Sequence, residues 1–318
     1  MMKSVFATGL LGLLCSVSLA VEQRPTSENQ IRKAIERGNA IRNQQKLLNP
    51  VLHEYALVMK IGDVRCGHAR VKIDDAKGEG GATYRLTESF KAAMAEEGQS
   101  ATIDYSAEFL LGPDLGLISG KMNTQSDLQS KEDNKQQNSI SVTTLKIQDG
   151  KLVADRVEAG DKTANQKILP LHGVRPIPKN ALLALTVFAV NEKQAYSPDL
   201  KDAFCVPSID FDWESNSLQI EPAWIVFDAP VYTNPKGTGL QMRLRYLAGE
   251  ITDKGLEVEP PAPQVWQSHQ TWPLDEKWRP LAHPSPGDPR IKVQGVDPAT
   301  LDVNAPLDLE KIRAAAKR

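Results

Sequence analysis

Tyr55-Ala-Leu-Val-Met-Lys-Ile61, followed by Gly62-Asp63 and by Val64-Arg-Cys-Gly-His-Ala-Arg-Val-Lys-Ile73, is the stretch that decides the fold. Tyr55, Leu57, Met59 and Ile61 alternate with Ala56, Val58 and Lys60. A period of two sends successive side chains to opposite faces of an extended chain, so this run is a strand with one face set for burial. Gly62-Asp63 suits a tight turn, and the second extended run follows at once. The unit is strand, turn, strand. Working outward, Thr83–Ala93 alternates less cleanly, whereas Ala101–Leu111 places Ile103, Tyr105, Ala107 and Phe109 on one face. Gly112-Pro113-Asp114 breaks that run before Leu115–Met122. Asn123–Asn138 is almost wholly polar, with Lys131-Glu-Asp-Asn-Lys135 at its centre, and reads as a long hairpin tip or ragged strand ends. Ser139–Ile147, Asp149-Gly150 and Lys151–Val157 restore strand and turn signals. The chain is therefore mainly β.

Other periodicities frame this series. Ser27 is followed three residues later by Gln30, a capping-box pattern, and Ile31, Ala34, Ile35 and Ile41 then form a thin apolar stripe that ends at Asn49-Pro50. This segment reads as an N-terminal helix lying across the end of a sheet. Pro170–Pro178 is a break, and Asn180–Val190 reads as a buried helix packed on the sheet, with a central strand as the alternative because of its valines. Strand signals resume at Ser217–Phe227, Gly239–Leu247 and Glu250–Val258. Pro260–Pro289 holds eight prolines in thirty residues, a density that forbids a regular helix or a central strand. Trp266, Trp272 and Trp278 lie within it, and such large aromatics call for docking on the β body. Arg290–Ala305 looks loosely ordered, and Leu307–Ala316 is a short terminal helix at best. The expected organisation is residues 1–20 as a leader, 21–53 as a helical segment, 54–258 as a β-rich domain, and 259–318 as a Pro-rich wrap or tail.

The chain has 318 residues, of which 38 are Lys or Arg and 40 Asp or Glu, a formal net charge of −2. Such a chain carries no field that would attract nucleic acid or an anionic membrane. Met1-Met2-Lys3 is a short positive start, Val5–Leu14 is uncharged and apolar, and Ser18-Leu19-Ala20 places small residues at the positions a leader peptidase reads before Val21. The expectation is a cleaved secretory signal and a secreted or periplasmic protein. The run Val5–Ala20 falls short of the about 20 apolar residues a spanning helix needs, and the large Leu14 before Cys15 argues against lipidation. No later stretch is apolar enough to span a bilayer, so no transmembrane segment is expected in the mature chain.

The opening Tyr55–His68 unit, the meandering strands, the Gly150-Lys-Leu152 restart, the Ile177-Pro-Lys-Asn-Ala-Leu-Leu183 segment and the closing strand series together resemble a group of uncharacterised secreted bacterial proteins. These are similar in layout to the periplasmic lipoprotein-carrier fold, and the resemblance covers about residues 54–258. It implies a strongly curved antiparallel sheet, or half-barrel, with one helix closing its concave side. It also implies a concave apolar face able to take acyl chains. It carries no functional residue across.

Chemistry-bearing residues are sparse. Cys66 and Cys205 are the two cysteines left after the leader, and in an oxidising compartment they are either a disulfide or two buried or free thiols. Strand parity argues against the bond, since Cys66 shares a face with His68, Arg70 and Lys72, although a bulge at Gly67 would reset it. Cys66-Gly67-His68 lacks the third orienting group that an activated nucleophile needs. His53, His68, His172, His269 and His283 are scattered, so no metal or other cofactor is expected. In Ile209-Asp-Phe-Asp-Trp-Glu214 a strand would place Asp210, Asp212 and Glu214 on one face. Such a row can bind a cation or supply an acid/base pair, and it is also what a solvated strand face looks like. No catalytic residue is assigned.

These readings converge on a secreted, non-enzymatic binding protein of the cell envelope, holding an apolar or lipidic ligand on a curved sheet. Two alternatives stand beside it: a structural or partner-binding envelope protein, and a secreted hydrolase whose site is assembled from residues distant in sequence.

Overall fold

The computed structural model describes residues 25–45, 53–130, 135–185, 203–212, 217–228, 241–262, 270–275, 279–281 and 290–317. Helix α1 (Glu28–Gln45) comes first. Then follow β1 (His53–Ile61), β2 (Val64–Asp75), β3 (Tyr84–Glu96), β4 (Gln99–Leu111), β5 (Leu117–Ser130), β6 (Lys135–Gln148), β7 (Lys151–Glu158) and β8 (Asn165–Pro170). The second half supplies β9 (Ile177–Pro178), β10 (Phe204–Asp212), β11 (Ser217–Asp228), β12 (Gln241–Tyr246), β13 (Gly249–Thr252), β14 (Gly255–Val258), β15 (Gln270–Pro273) and β16 (Ile291–Val296). Helix α2 (Leu309–Ala316) closes the series, capped by the Asp308 side chain on the Lys311 N–H.

Two sheets and a hairpin result. A nine-stranded antiparallel sheet runs β16-β1-β2-β3-β4-β5-β6-β7-β8 and is curled into a half-barrel. A five-stranded sheet runs β15-β12-β11-β10-β9, antiparallel except for the short parallel pair β9 and β10. β13 and β14 form a hairpin of their own. One face of the large sheet, with Ile73, Leu86, Phe109, Leu145 and Leu152, shares a single core with Phe204, Val206, Ile225 and Met242 of the small one. At about 25 cal/mol per Å² of apolar surface this joint core dominates the stability of the fold. The other face of the small sheet meets α1, where Ile31 and Ala34 pack on Cys205, Trp224 and Val226. Helix α2 covers the outer face of β2 and β3, burying Ile312 against Cys66, Ala93 and Ala95.

Helix α1 starts as its capping pattern foretells, with the Ser27 hydroxyl accepting from the Gln30 N–H at 3.4 Å and the Gln30 side chain reaching back to the Thr26 N–H at 2.8 Å. Gly38 sits where the helix crosses β10. A Cβ there would collide with the Cys205 carbonyl and lie 2.9 Å from Val206 Cγ1. Helix propensity alone favours alanine over glycine by up to about 1 kcal/mol. Gly38→Ala is nevertheless expected to destabilise the protein by about 1–3 kcal/mol, because α1 must lift off β10. A urea titration with tryptophan fluorescence reads this, and an unchanged or raised midpoint would refute the close crossing.

Several sequence expectations change form here. Glu250–Val258 is a hairpin rather than one strand, because Gly255 at φ 106 turns the chain between β13 and β14. The polar run 123–138 is mostly paired strand, in register from Asn123 opposite Val142 to Ser130 opposite Lys135, with the tip 131–134 outside the described residues. Arg290–Ala305 is not loose. Its first part is β16, which pairs along β1 from Ala56 opposite Val296 to Ile61 opposite Ile291. Of the helix expected over 180–190, residues 182–185 are helical, with Leu182, Leu183 and Leu185 buried in the joint core, and 186–190 lie outside the described residues. The strand alternative for 182–185 is excluded. Trp272 docks as expected, on the edge strand β15, while Trp266 and Trp278 lie outside the described residues. So does the leader reading at residues 1–20.

Candidate functional site

The register of the nine-stranded sheet orders its core face in rows. One row reads Ile73, Leu86, Phe109, Gly120, Leu145 and Ala154 across β2 to β7. It is apolar and covered by the small sheet. The next row reads Tyr55, Val71, Glu88, Ala107, Met122, Thr143 and Arg156. Here polar groups enter the interior. The third reads Leu57, Ala69, Phe90, Tyr105, Thr124 and Ser141. Beyond it come Ala92, Ile103, Ser126 and Ser139, and then Met94, Ala101 and Leu128. Burial falls along this direction. Ala92, Ala101 and Ile103 are half-buried, whereas Met94 is 44% and Leu128 49% exposed.

The core face thus has a closed half and an open half, with a polar band between them. Glu88 lies in that band, 8% exposed, and its Oε2 accepts a hydrogen bond from the Tyr105 hydroxyl at 3.0 Å. Burial pushes the Tyr55 phenol far above its ordinary range, and the Glu88 carboxylate pushes the same way. Ser141 and Thr143 are buried farther along the same rows, two strands from Tyr105 and three from Glu88, and Arg156 bridges to Glu158 at 3.1 Å. A carboxyl group this deep needs hydrogen-bond partners, and Tyr105 supplies one. Chemically, the open half offers aliphatic and thioether surface that ends against an acceptor and hydroxyl groups. That combination suits a ligand with an apolar body and a small polar end.

No family model and no curated protein matches the chain. Among solved structures it is similar to a β-barrel-like protein from Brucella abortus, of the domain of unknown function DUF1849. The TM-score is 0.43 at 11% identity, covering 78% of this chain and 96% of that one.

The residues singled out in the sequence do not gather here. Cys66 and Cys205 are both buried thiols with no disulfide between them, which corrects the pairing considered above. The physical reason is their placement. Cys66 packs under α2 on the outer face of the large sheet, and Cys205 packs under α1 on the small one. A bulge is present one residue before Gly67, at Cys66, which the pairing of β1 with β2 skips between Met59 opposite Gly67 and Lys60 opposite Arg65, yet Cys66 still lies away from Cys205. Burial raises the Cys205 thiol well above its ordinary value, so it is not an activated nucleophile. His68 is 1% exposed, and its Nδ1 accepts from Arg65 Nη2 at 2.6 Å. Burial first, and Arg65 and Lys91 next, bring it down to about 4. Asp210 and Asp212 belong to β10, opposite Gln219 and Ser217, while Glu214 lies outside the described residues. Among the described residues no group of three or more His, Cys, Asp or Glu is placed to hold a metal ion. His269 and His283 lie outside them.

Glu88 and its neighbours escaped the sequence reading, though a signal was there. Thr83–Ala93 alternates imperfectly because a charged residue stands between Leu86 and Phe90 on the face that should be apolar. A lone carboxylate on the core side of a strand marks either a strand end or a buried functional group.

Proposed function

We propose that this is a secreted or periplasmic, non-enzymatic binding protein that holds an apolar or lipidic ligand against the open half of its curled sheet. The reading rests on one observation: Met94 and Leu128 stand exposed on the same face of the sheet that elsewhere forms the core. Exposed apolar surface continuous with a core is retained at a cost in solubility, and ligand contact accounts for it. The leader expected from Met1–Ala20 and the curled antiparallel sheet are in keeping with the same reading. Among the described residues no helix is long and apolar enough to cross a membrane.

Binding of a fluorescent fatty acid tests it. The wild-type protein is expected to bind the probe, and the double substitution Met94→Glu with Leu128→Glu is expected to weaken binding by roughly tenfold or more, about 1.4 kcal/mol. Because both side chains are exposed, stability should stay within about 0.5 kcal/mol per site. An organic extract of the protein recovered from the periplasm should contain lipid. A protein that carries no lipid and binds no probe is not a lipid-binding protein.

A further inference from the structure

The open half of the large sheet has a polar side as well as an apolar one, and the division runs across the strands. On β3 and β4 it presents Ala92, Met94, Ala101 and Ile103. On β5 and β6 it presents hydroxyls: Thr124 stands opposite Ser141 and Ser126 opposite Ser139, with Thr143 one row deeper. The two sides meet along the β4 and β5 pair, where Ile103 faces Ser126 and Tyr105 faces Thr124. Facing residues on antiparallel strands lie about 5 Å apart at Cβ, so the hydroxyls form one patch two strands wide. Thr124, Ser126 and Ser139 are half-buried, and Ser141 and Thr143 are buried. At the outer end Leu128 adds aliphatic surface opposite Ala101.

The chemistry of the polar side selects the head group. A serine or threonine hydroxyl both donates and accepts, whereas an ionised carboxylate only accepts. At the inner end Tyr105 gives its one O–H to Glu88 Oε2 at 3.0 Å, so it has no proton left for an anionic head. A fatty-acid carboxylate would also set a second acid beside Glu88, and two carboxyl groups in one site do not both ionise without cost. Arg156, the one cation in these rows among the described residues, already lies 3.1 Å from Glu158. A head with several hydroxyls meets the patch in both directions, donor to acceptor and acceptor to donor. We infer that the ligand of the open half is an uncharged amphiphile, an acyl chain on a hydroxyl-rich head such as glycerol or a sugar, rather than a free fatty acid. The chain lies on β3 and β4 toward Met94 and Leu128, and the head lies over Thr124, Ser126 and Ser139. The inference rests on the apolar-ligand reading above and adds the class of head group. A site that hydrogen-bonds a ligand hydroxyl discriminates more sharply than one that only packs a chain.

Displacement of the fluorescent fatty acid from the full mature chain tests it, with monolauroylglycerol, lauric acid and dodecylamine as competitors at neutral pH, each below its micelle-forming concentration. Monolauroylglycerol is expected to displace the probe at a concentration at least about tenfold below that of either charged competitor. Thr124→Val with Ser126→Ala removes two half-buried hydroxyls with little change in volume, and is expected to bring the ratio of lauric acid to monolauroylglycerol to within about threefold. Because the ratio compares two ligands on one protein, a partial loss of folded protein does not move it. A ratio near one in the wild type, tightest binding of lauric acid or of dodecylamine, or a ratio that survives in the variant would overturn the head-group inference and leave the lipid reading standing. Failure of the probe and of all three competitors to bind would overturn both.

Discussion

Asp114→Ala is expected to destabilise the protein by about 3–5 kcal/mol, the cost of breaking a buried ion pair from one side. Asp114 is 7% exposed and Arg42, which reaches it from the last turns of α1, is 6% exposed. Arg42 Nη2 lies 2.7 Å from Oδ2 and also donates to the Arg175 carbonyl at 2.8 Å. Arg175 Nη2 is 3.3 Å from Oδ1, and the Gly116 N–H donates to the same oxygen at 3.3 Å. One carboxylate therefore joins α1, the turn between β4 and β5, and the segment leading into β9. Burial pulls the Arg42 guanidinium below its ordinary value and Asp114 opposes that pull. Without Asp114, two guanidinium groups face each other with that shared counter-charge gone. Urea midpoints of Asp114→Ala, Arg42→Met and the double variant form the check. The double variant should lose clearly less than the sum of the singles, because removing both charges leaves neither orphaned. Strict additivity, or a loss below about 1 kcal/mol for Asp114→Ala, would show that the cluster does not hold the three elements together.

Mild acid should weaken the fold well before the carboxylates titrate. His53 is 6% exposed, with its Nε2 buried and lacking a hydrogen-bond partner among the described residues. Burial brings it down to about 4, with Asp275 opposing and Arg279 adding. His68, also near 4, accepts from Arg65 and would clash with that guanidinium once protonated. Both native values lie below the ordinary 6.5, so the unfolded chain binds more protons between them. Stability is therefore complete above about pH 6.5 and falls as the pH drops toward 4. For His53 the full loss is about 3 kcal/mol. Midpoints measured from pH 7.5 to 4.5 should drop steeply, and His53→Gln should flatten part of that slope. A flat profile over this range would mean that neither ring is held neutral by its surroundings.

The open half of the large sheet was not visible in the sequence. Met94 stands next to the turn between β3 and β4, and Leu128 looks like a stray apolar residue in a polar run, until the register places both on one face.

What the sequence determined by itself is local. The alternation of Tyr55–Ile61 and of Ala101–Leu111, the turns at Gly62-Asp63 and Asp149-Gly150, and the Ser27 and Gln30 cap each encode their element, because pleat, turn and capping depend on residues a few positions apart. What only the tertiary structure decided joins distant residues. Residues 291–296 become a strand because β1 presents an edge to pair with. Glu88 becomes an interior carboxylate because the register sets Tyr105 in reach of it. Asp114 becomes the anchor of α1 because the helix brings Arg42 to it, and Cys66 and Cys205 stay apart because two different helices cover them. Such pairings are set by which faces bury together, and chain-neighbour patterns carry no record of that choice.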